Sequence, residues 1–224
     1  MKSHSLGASL LSIPPLDLAS DLKDLIHQGI DFIHLDIMDA NFVPNLAFNY
    51  ETCNSIKSIS EGLPLDVHFM VSKKALKALL PSFFKLNARW MTFHVEEHSS
   101  LLSELFEECH SHGVSPGLAI NPDTDLSCIL PYLKCCELLL LMSVPPGYGG
   151  QVFNENTYKR IQTLLSWKQK MDCTFLLEVD GGINLAIAKK LQAQQTDLIV
   201  IGSDLIKQAD KQAYIQKFHD YTAC

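Results

Sequence analysis

Two short apolar segments of this chain carry histidine and aspartate at positions where a buried strand would carry aliphatic residues. His34 and Asp36 lie in the first segment, and Asp66 and His68 lie in the second. Because the side chains of a strand alternate between its two faces, each segment places its two polar side chains on one face. Burial of such groups without partners is costly, whereas imidazole and carboxylate groups bind divalent cations. The spacing therefore indicates a site that does chemistry.

Asp180 ends a later apolar segment and is a further candidate for that site. A lone histidine in a strand is more often a hydrogen-bonded core residue, which is the alternative for each group taken singly. Groups that converge from the ends of three strands would enclose one divalent cation and leave open positions, as a catalytic site requires. The candidate ligands are His34, Asp36, His68 and Asp180. We interpret His94 and Glu96 as supporting residues, and we expect the remaining histidines to be solvated: His4, His27, His98, His110, His112 and His219.

Strand-like and amphipathic helix-like segments alternate along the chain and must position these residues. The predicted strands are residues 6–11, 32–37, 65–70, 91–95, 115–120, 138–143, 175–180 and 198–202. The predicted helices are residues 18–28, 50–60, 73–86, 99–112, 125–133, 156–171, 185–194 and 204–218. Apolar strands separated by helices imply parallel pairing, so we predict an α/β fold, a single-domain (β/α)8 TIM barrel over residues 1–224. An open doubly wound sheet is the alternative, but its G-x-G-x-x-G fingerprint is absent after Leu11.

Composition excludes several classes of partner. The formal net charge of -7 argues against nucleic acid and anionic membranes, and no basic run contradicts this. Seven scattered cysteines without a C-x-x-C motif are typical of reduced thiols. The first residues lack the apolar core of a secretion signal, and no stretch approaches about eighteen uncharged apolar residues. We therefore expect a soluble, cytoplasmic protein of one domain.

Glycine-rich loops follow the last three predicted strands. Such loops bring backbone N–H groups close to an anion, and a helix that starts nearby adds partial positive charge. The glycines of the first loop alone are typical of an ordinary tight turn. Three loops together match the place where barrels bind phosphate. The residues concerned are Gly147, Gly149, Gly150, Gly181, Gly182, Gly202 and Ser203.

Four motifs together resemble the ribulose-phosphate 3-epimerase family. They are MDANFVPN at residues 38–45, DVHFMV at residues 66–71, PGYGGQ at residues 146–151 and VDGG at residues 179–182. The likeness extends from about Leu6 to Ile206. It implies an isomerase of carbohydrate metabolism in the pentose phosphate pathway that interconverts D-ribulose 5-phosphate and D-xylulose 5-phosphate.

The resemblance also assigns roles to individual residues. It implies that His34, Asp36, His68 and Asp180 bind one divalent metal ion (Zn, Fe, Mn or Co), without an organic cofactor. Asp36 and Asp180 would be the two acid/base groups, and Ser9 and His68 would contact the sugar. The phosphate would be surrounded by Gly147, Tyr148, Gly149, Gly150, Gly181, Gly182, Gly202 and Ser203. The implied partners are a small phosphosugar substrate and further copies of the chain in a homo-oligomer.

The chemistry of an epimerase is consistent with these roles. Inversion of a carbon next to a ketone removes its proton on one face and returns a proton on the other, so two acid/base groups must flank the substrate. A carboxylate is a weak base for such a proton, since each pKa unit of mismatch costs about 1.4 kcal/mol. A metal that stabilises the enediolate offsets this cost. Met38, Met70 and Met142 are candidates for an apolar wall beside the intermediate, with core packing as the alternative for Met142.

The chain departs from the family pattern at three places. Ala40 stands where the family has glycine, so a positive φ there would cost up to about 1 kcal/mol. Pro145 would stiffen the loop that closes over substrate. The sequence after Ser9 also differs from that of the family, which weakens the match for Ser9. Two alternatives remain open: the related D-allulose-6-phosphate 3-epimerase, and a phosphosugar-binding barrel without catalysis.

Overall fold

Eight parallel strands close into a barrel in the computed structural model, which describes residues 4–220. The strands pair in chain order, and the first pairs with the last. They are β1 (Ser5–Ser9), β2 (Phe32–Met38), β3 (Leu65–Met70), β4 (Trp90–His94), β5 (Ser115–Ile120), β6 (Leu138–Met142), β7 (Leu176–Asp180) and β8 (Leu198–Ile201). The prediction of a (β/α)8 barrel is confirmed, and the open doubly wound sheet is excluded.

Helices surround the barrel and connect its strands. They are α1 (Leu18–Gln28), α2 (Tyr50–Ile59), α3 (Lys73–Phe83), α4 (Val95–His98), α5 (Leu102–Ser111), α6 (Asn156–Lys170), α7 (Leu185–Ala193), α8 (Ser203–Ile206) and α9 (Lys211–His219). Short 3-10 helices cover Leu10–Ser12, Phe84–Leu86 and Leu126–Tyr132. Within the described range, no helix is long and apolar enough to cross a membrane.

The predicted elements differ from the structure mainly where one segment changes conformation. The first strand ends at Ser9, and Leu10 and Leu11 form part of a 3-10 turn. The segment predicted as helix 125–133 is a 3-10 helix that contains Pro131, which lacks the N–H needed for regular α-helical bonding. The helix predicted over 204–218 is two helices, since the Asp210 side chain accepts from the Ala213 N–H and starts α9.

Side-chain caps fix several loops at the carboxyl ends of the strands. Asn49 accepts from the Thr52 N–H at the start of α2, and Asn184 accepts from the Ile187 N–H at the start of α7. These caps set where each strand-to-helix loop ends, and therefore where the residues of that loop lie.

The strands are buried on both faces, and the two faces have different roles. Outward-facing side chains such as Leu35, Phe69 and Phe93 pack against the helices in the main core. The inward-facing Phe32 and Trp90 meet edge to face, with ring centroids 6.0 Å apart, in a small apolar cluster at the amino ends of the strands. This apolar floor leaves the polar side chains of β2, β3 and β7 on the layers above it.

One domain over residues 1–224 remains a prediction, because residues 1–3 and 221–224 lie outside the described residues. The cysteines that the structure describes are free: Cys53, Cys109, Cys128, Cys135, Cys136 and Cys173. Burial raises the pKa of the Cys53 and Cys109 thiols to about 12. These two thiols are therefore unreactive core residues.

Close packing inside the barrel predicts a cost for added volume at Gly7. A Cβ there would overlap the buried Phe32 ring, so we expect Gly7→Ala to lower the free energy of unfolding by about 1–3 kcal/mol. In a Phe32→Leu background the same change should cost less, because the ring is gone. Urea unfolding of the four proteins of this cycle measures the difference. Equal costs in both backgrounds would show that the ring is not the obstacle.

Candidate active site

The register between β2 and β3 brings the two polar segments together. His34 lies opposite Asp66, and Asp36 lies opposite His68. Asp180 reaches the same place from β7, a strand that pairs with neither. Ligand atoms of His34, Asp36, His68 and Asp180 all lie within 4.8 Å of one another. The structure therefore brings the four candidate ligands into one cluster.

Asp36 is the centre of this cluster. Its Oδ1 lies 3.3 Å from His34 Nε2 and 3.3 Å from His68 Nδ1. Its Oδ2 accepts a hydrogen bond of 3.0 Å from the Ser9 hydroxyl. Ser9, whose match to the family was the weakest, thus has a direct contact with a candidate acid/base group. Ser9, His34, Asp36 and His68 are buried, and Asp180 is half-buried.

Outer partners hold the two histidines of the cluster. His34 Nδ1 lies 2.5 Å from Asp66 Oδ2, and His68 Nε2 lies 2.8 Å from His94 Nε2. Burial opposes a charge on His34, but Asp36 and Asp66 together raise the pKa of its ring well above the ordinary value. His94 lies outside the cluster, as expected of a supporting residue.

The donor set fits a divalent cation. His34 Nε2 is buried and makes no hydrogen bond to any described residue, although it points at the Asp36 carboxylate. An orphaned buried nitrogen of this kind is costly unless a further group engages it. Two carboxylates with two imidazoles are also a donor set that suits a catalytic divalent metal with open positions.

The two aspartates of the cluster differ in their affinity for protons. Burial, opposed by the charge of His34 and assisted by that of Asp36, raises the pKa of Asp180 to about 6. Burial alone would also raise the pKa of Asp36, but the charge and the close contact of His34 lower it, and the pKa lies well below its usual range. Two carboxyl groups with different proton affinities are typical of an acid/base pair.

The glycine-rich loops form one wall of a pocket above Asp36 and Asp180. The three methionines noted in the sequence, Met38, Met70 and Met142, line the same pocket. Among the described residues, no lysine or arginine lines it, so an anion there would meet backbone N–H groups and hydroxyls. The loop residues that line it include the predicted phosphate set Gly147, Tyr148, Gly149, Gly150, Gly181, Gly182, Gly202 and Ser203.

Gly182 shows why glycine is needed in this wall. Its φ is +62°, and an added Cβ would lie 2.5 Å from the Phe153 nitrogen and 2.6 Å from the Gln151 carbonyl oxygen. A side chain would therefore push the backbone of the neighbouring loop away.

Only α8 begins directly after its glycine, whereas α6 and α7 begin further along the chain. Helix starts thus contribute less to the pocket than the loop backbone does.

Two loops contact each other at the mouth of the pocket. The Asn45 side chain donates to the Gly147 carbonyl at 2.8 Å, and the Tyr148 hydroxyl donates to the Pro44 carbonyl at 2.6 Å. Ala40, at the start of the first loop, has φ of 57°, which confirms that this position requires a positive φ. The loop after β6 is therefore tied to the loop after β2, next to both candidate acid/base groups.

Some residues at the site were not found from the sequence. Ser12 lines the pocket, and its Oγ would lie 3.0 Å from a Cβ added at Gly149. Glu178 is buried below the cluster, where burial and the Asp66 charge raise the pKa of its carboxyl well above the ordinary value. Its position two residues before Asp180 was the available signal, since residues two apart share a strand face.

The prediction of a solvated His98 is wrong, because α4 turns its side chain into the core.

Comparison with known proteins gives the family. A sequence model described as "Ribulose-phosphate 3 epimerase family" matches residues 5–206. The chain belongs to the ribulose-phosphate 3-epimerase family. Over 219 residues it is 34% identical to the ribulose-phosphate 3-epimerase of Buchnera aphidicola subsp. Schizaphis graminum, with 97% of this chain and 94% of the relative covered. Over 225 residues it is 32% identical to that of Escherichia coli (strain K12), with 100% and 98% covered. The resemblance seen in the motifs is confirmed, and the protein is an enzyme of the epimerase class.

Solved structures with the same architecture are more distant. KGPDC from Streptococcus mutans superposes with a TM-score of 0.74 at 12% identity, with 97% of this chain and 96% of that chain covered. The 3-hexulose-6-phosphate synthase of Salmonella typhimurium gives a TM-score of 0.71 at 14% identity, with 96% of each chain covered. At these identities the likeness shows the fold alone.

The raised pKa of Asp180 predicts how many protons leave when a metal binds. Below pH 6 the carboxyl is protonated in the metal-free protein, so a cation must displace its proton; above pH 6 it need not. We expect Zn²⁺ to release about one more proton per ion at pH 5 than at pH 7. Calorimetry in buffers of different ionisation enthalpy counts these protons.

The Asp180→Asn variant is the control, since it lacks the titrating carboxyl and should show no such increase. An exposed acid, Asp123→Asn, should behave as the unmodified protein. The same increase in Asp180→Asn would assign the proton to another group.

Proposed function

We propose that this protein interconverts D-ribulose 5-phosphate and D-xylulose 5-phosphate by two-base proton transfer at C3, in which one of Asp36 and Asp180 removes the C3 proton and the other delivers a proton to the opposite face. The observation that carries the proposal is the convergence of these two carboxyl groups, from strands that do not pair, on one pocket with a glycine-rich wall. A binding protein needs only one side of such a pocket. Opposed acid/base groups are what inversion at a carbon requires.

The proton affinities of Asp36 and Asp180 indicate which of them acts as base and which as acid. Asp36 is ionised at neutral pH and is oriented by Ser9, so it is the group ready to accept a proton. In the metal-free protein burial raises the pKa of Asp180 to about 6, so Asp180 holds a proton more readily than Asp36 does. In the proposed reaction one group removes the C3 proton while the other delivers a proton to the opposite face. The roles exchange when the reaction runs in reverse.

His34, Asp36, His68 and Asp180 are proposed to hold one divalent metal ion, with Zn, Fe, Mn and Co as candidates. When bound, the ion supplies positive charge next to the substrate's oxygens, which lowers the cost of removing the C3 proton. The protein's own contribution is to hold two carboxyl groups from different strands at one pocket. Met38 and Met70, both buried at the rim, help to exclude water from the reacting centre.

The phosphate is proposed to lie against the glycine-rich wall. The predicted set at Gly147–Gly150, Gly181, Gly182, Gly202 and Ser203 lines the pocket together with the Ser12 hydroxyl. Because the protein carries a net charge of -7, local backbone dipoles rather than overall charge must attract the anion. A homo-oligomeric state and a cytoplasmic location remain predictions.

Solvent exchange tests the proposed proton transfer. With a divalent metal present, we expect the protein to exchange the C3 proton of ribulose 5-phosphate with deuterium and to form xylulose 5-phosphate, because both carboxyl groups contact the reacting carbon in turn. Proton NMR in D2O follows the loss of the C3 signal and the appearance of the product. Absence of exchange with Zn, Fe, Mn and Co each supplied would refute the catalytic proposal.

Allulose 6-phosphate, assayed under the same conditions, separates the two epimerase readings. A higher kcat/KM for ribulose 5-phosphate is expected, since Gly149, Gly150 and Gly182 match the pattern of the ribulose phosphate enzymes. A higher kcat/KM for the hexose phosphate would assign the protein to the alternative substrate.

Asparagine variants test the assignment of two bases. Asp36→Asn and Asp180→Asn should each lower epimerisation by about 10²–10⁴-fold, since each removes one of the two proton-transfer groups. Each variant should still exchange the C3 proton of one epimer without forming the other, and the epimer should differ between the two variants. Metal content, measured on the same samples, separates a lost base from a lost ligand. Full epimerisation by either variant would contradict the assignment.

A further inference from the structure

His68, His94 and Glu96 form a chain of hydrogen-bonded side chains that begins at the candidate metal ligand His68. His68 Nε2 lies 2.8 Å from His94 Nε2, and His94 Nδ1 lies 3.1 Å from Glu96 Oε2. Both imidazoles are fully buried, with ring centroids 5.0 Å apart and ring planes inclined by 28°, so the rings meet nitrogen to nitrogen. The ring of Phe42 also packs against His94, with centroids 4.8 Å apart and planes inclined by 47°. The two imidazoles are therefore shielded from water, whereas the Glu96 side chain is 19% exposed.

Glu96 is itself held at its other oxygen. Its Oε1 accepts a hydrogen bond of 2.7 Å from the Asn121 N–H, just beyond β5. Arg160 of α6 donates to the Asn121 carbonyl at 3.0 Å and to the Thr124 carbonyl at 2.7 Å, which fixes that loop. Glu96 Oε2 therefore remains the oxygen that faces His94.

We propose that Glu96, acting through His94, is a positioning residue that keeps His68 in the tautomer with an unprotonated Nδ1 facing Asp36. The proposal rests on the proposed function, because it concerns a ligand of the metal that the reaction would use. A neutral imidazole binds a metal through the nitrogen that carries no proton, and the hydrogen bond of the other nitrogen decides which one that is.

The direction of each hydrogen bond follows from which of these groups can donate and which can only accept. An ionised carboxylate only accepts, so His94 must carry its proton on Nδ1 to bond to Glu96. The Nε2 of a neutral His94 is then an acceptor, and the facing Nε2 of His68 must be the donor. This leaves Nδ1 of His68 without a proton, on the side of the four-group cluster.

Asp36 favours the other tautomer of His68, since its carboxylate would accept a hydrogen bond from a protonated Nδ1. That contact is 3.3 Å, whereas the contact between His68 and His94 is 2.8 Å. The shorter distance lies in the range of a good hydrogen bond, and the longer one lies beyond it. The outer partner therefore decides the tautomer. His34 has a carboxylate as its outer partner without an intervening ring, because Asp66 contacts its Nδ1 directly and its Nε2 faces the cluster.

Glu96→Gln tests the proposal because it should reverse the donor and acceptor roles in the hydrogen bonds between Glu96, His94 and His68. The glutamine carbonyl must accept from the Asn121 N–H, so its NH2 group faces His94 and donates to Nδ1. His94 then carries its proton on Nε2, and His68 is left with its proton on Nδ1. We expect ring ¹⁵N NMR of the metal-free variant to show His68 protonated at Nδ1 instead of Nε2. We also expect Zn²⁺ affinity, measured by chelator competition, to fall about 10–100-fold.

Glu97→Gln is the matched control. Its Oε1 accepts from the Lys73 N–H, and an amide oxygen can keep that bond, so the tautomer of His68 and Zn²⁺ affinity should match those of the unmodified protein. An unchanged tautomer and affinity in Glu96→Gln would overturn the proposal while leaving the epimerase function intact.

The spectrum of the unmodified protein decides the proposal even if Glu96→Gln does not fold. His68 protonated at Nε2 and His94 protonated at Nδ1 would support it, and His68 protonated at Nδ1 would overturn it. A separate result bears on the proposed metal site itself. If Zn²⁺ leaves the His68 ring signals of the unmodified protein unchanged, His68 is not a ligand, and the metal part of the proposed function falls together with this inference.

Discussion

The parallel pairing of β2 with β3 is the contact on which the site depends. Its register sets Asp36 opposite His68 inside the barrel. A slip of either strand by one residue would turn its polar side chains into the apolar layer beneath the helices, where they could not be paired. The aliphatic residues between them, such as Leu35 and Val67, make that slip costly from the other direction, since they would enter the polar interior. Hydrophobic packing outside the barrel therefore fixes the chemistry inside it.

Closure of the barrel then brings in the groups that no local pairing could supply. β1 contributes Ser9 and β7 contributes Asp180 to a cluster built on β2 and β3. A closed barrel has little freedom to move one strand without the others, because each strand is paired on both sides. The separation of the two carboxyl groups is consequently a property of the whole sheet, and it is protected by every strand in it.

Many charged groups near one another inside a protein need compensation, and here it is arranged in layers. Asp66 and the half-shielded Glu96 lie outside the two histidines, and Glu178 lies below, where burial favours its neutral form. Each imidazole of the cluster thus has a carboxylate behind it, either directly or through another ring. A cation in the centre would complete this alternation of charge, which is a physical reason why a cluster of this composition suits a cation.

Local signals in the sequence were enough for much of this structure. Period-two placement of His34 and Asp36, alternating apolar segments and three glycine-rich loops indicated the barrel and the face that carries the site. Ala40 was recognised as a position where a positive φ would matter, and it has one. These features depend on residues close together in the chain, where sequence spacing and spatial spacing are nearly the same.

The sequence by itself therefore determined the fold class, the family and the four groups proposed as ligands. Only the tertiary structure decided which nitrogen of each histidine faces the cluster, that Ser12 joins the pocket, and that Glu96 stands behind His94. Those outcomes depend on side-chain rotation and on contacts between strands far apart in the chain. Ring orientation and long-range distance leave no periodic trace in a single sequence, because they are set by packing only after the barrel has closed.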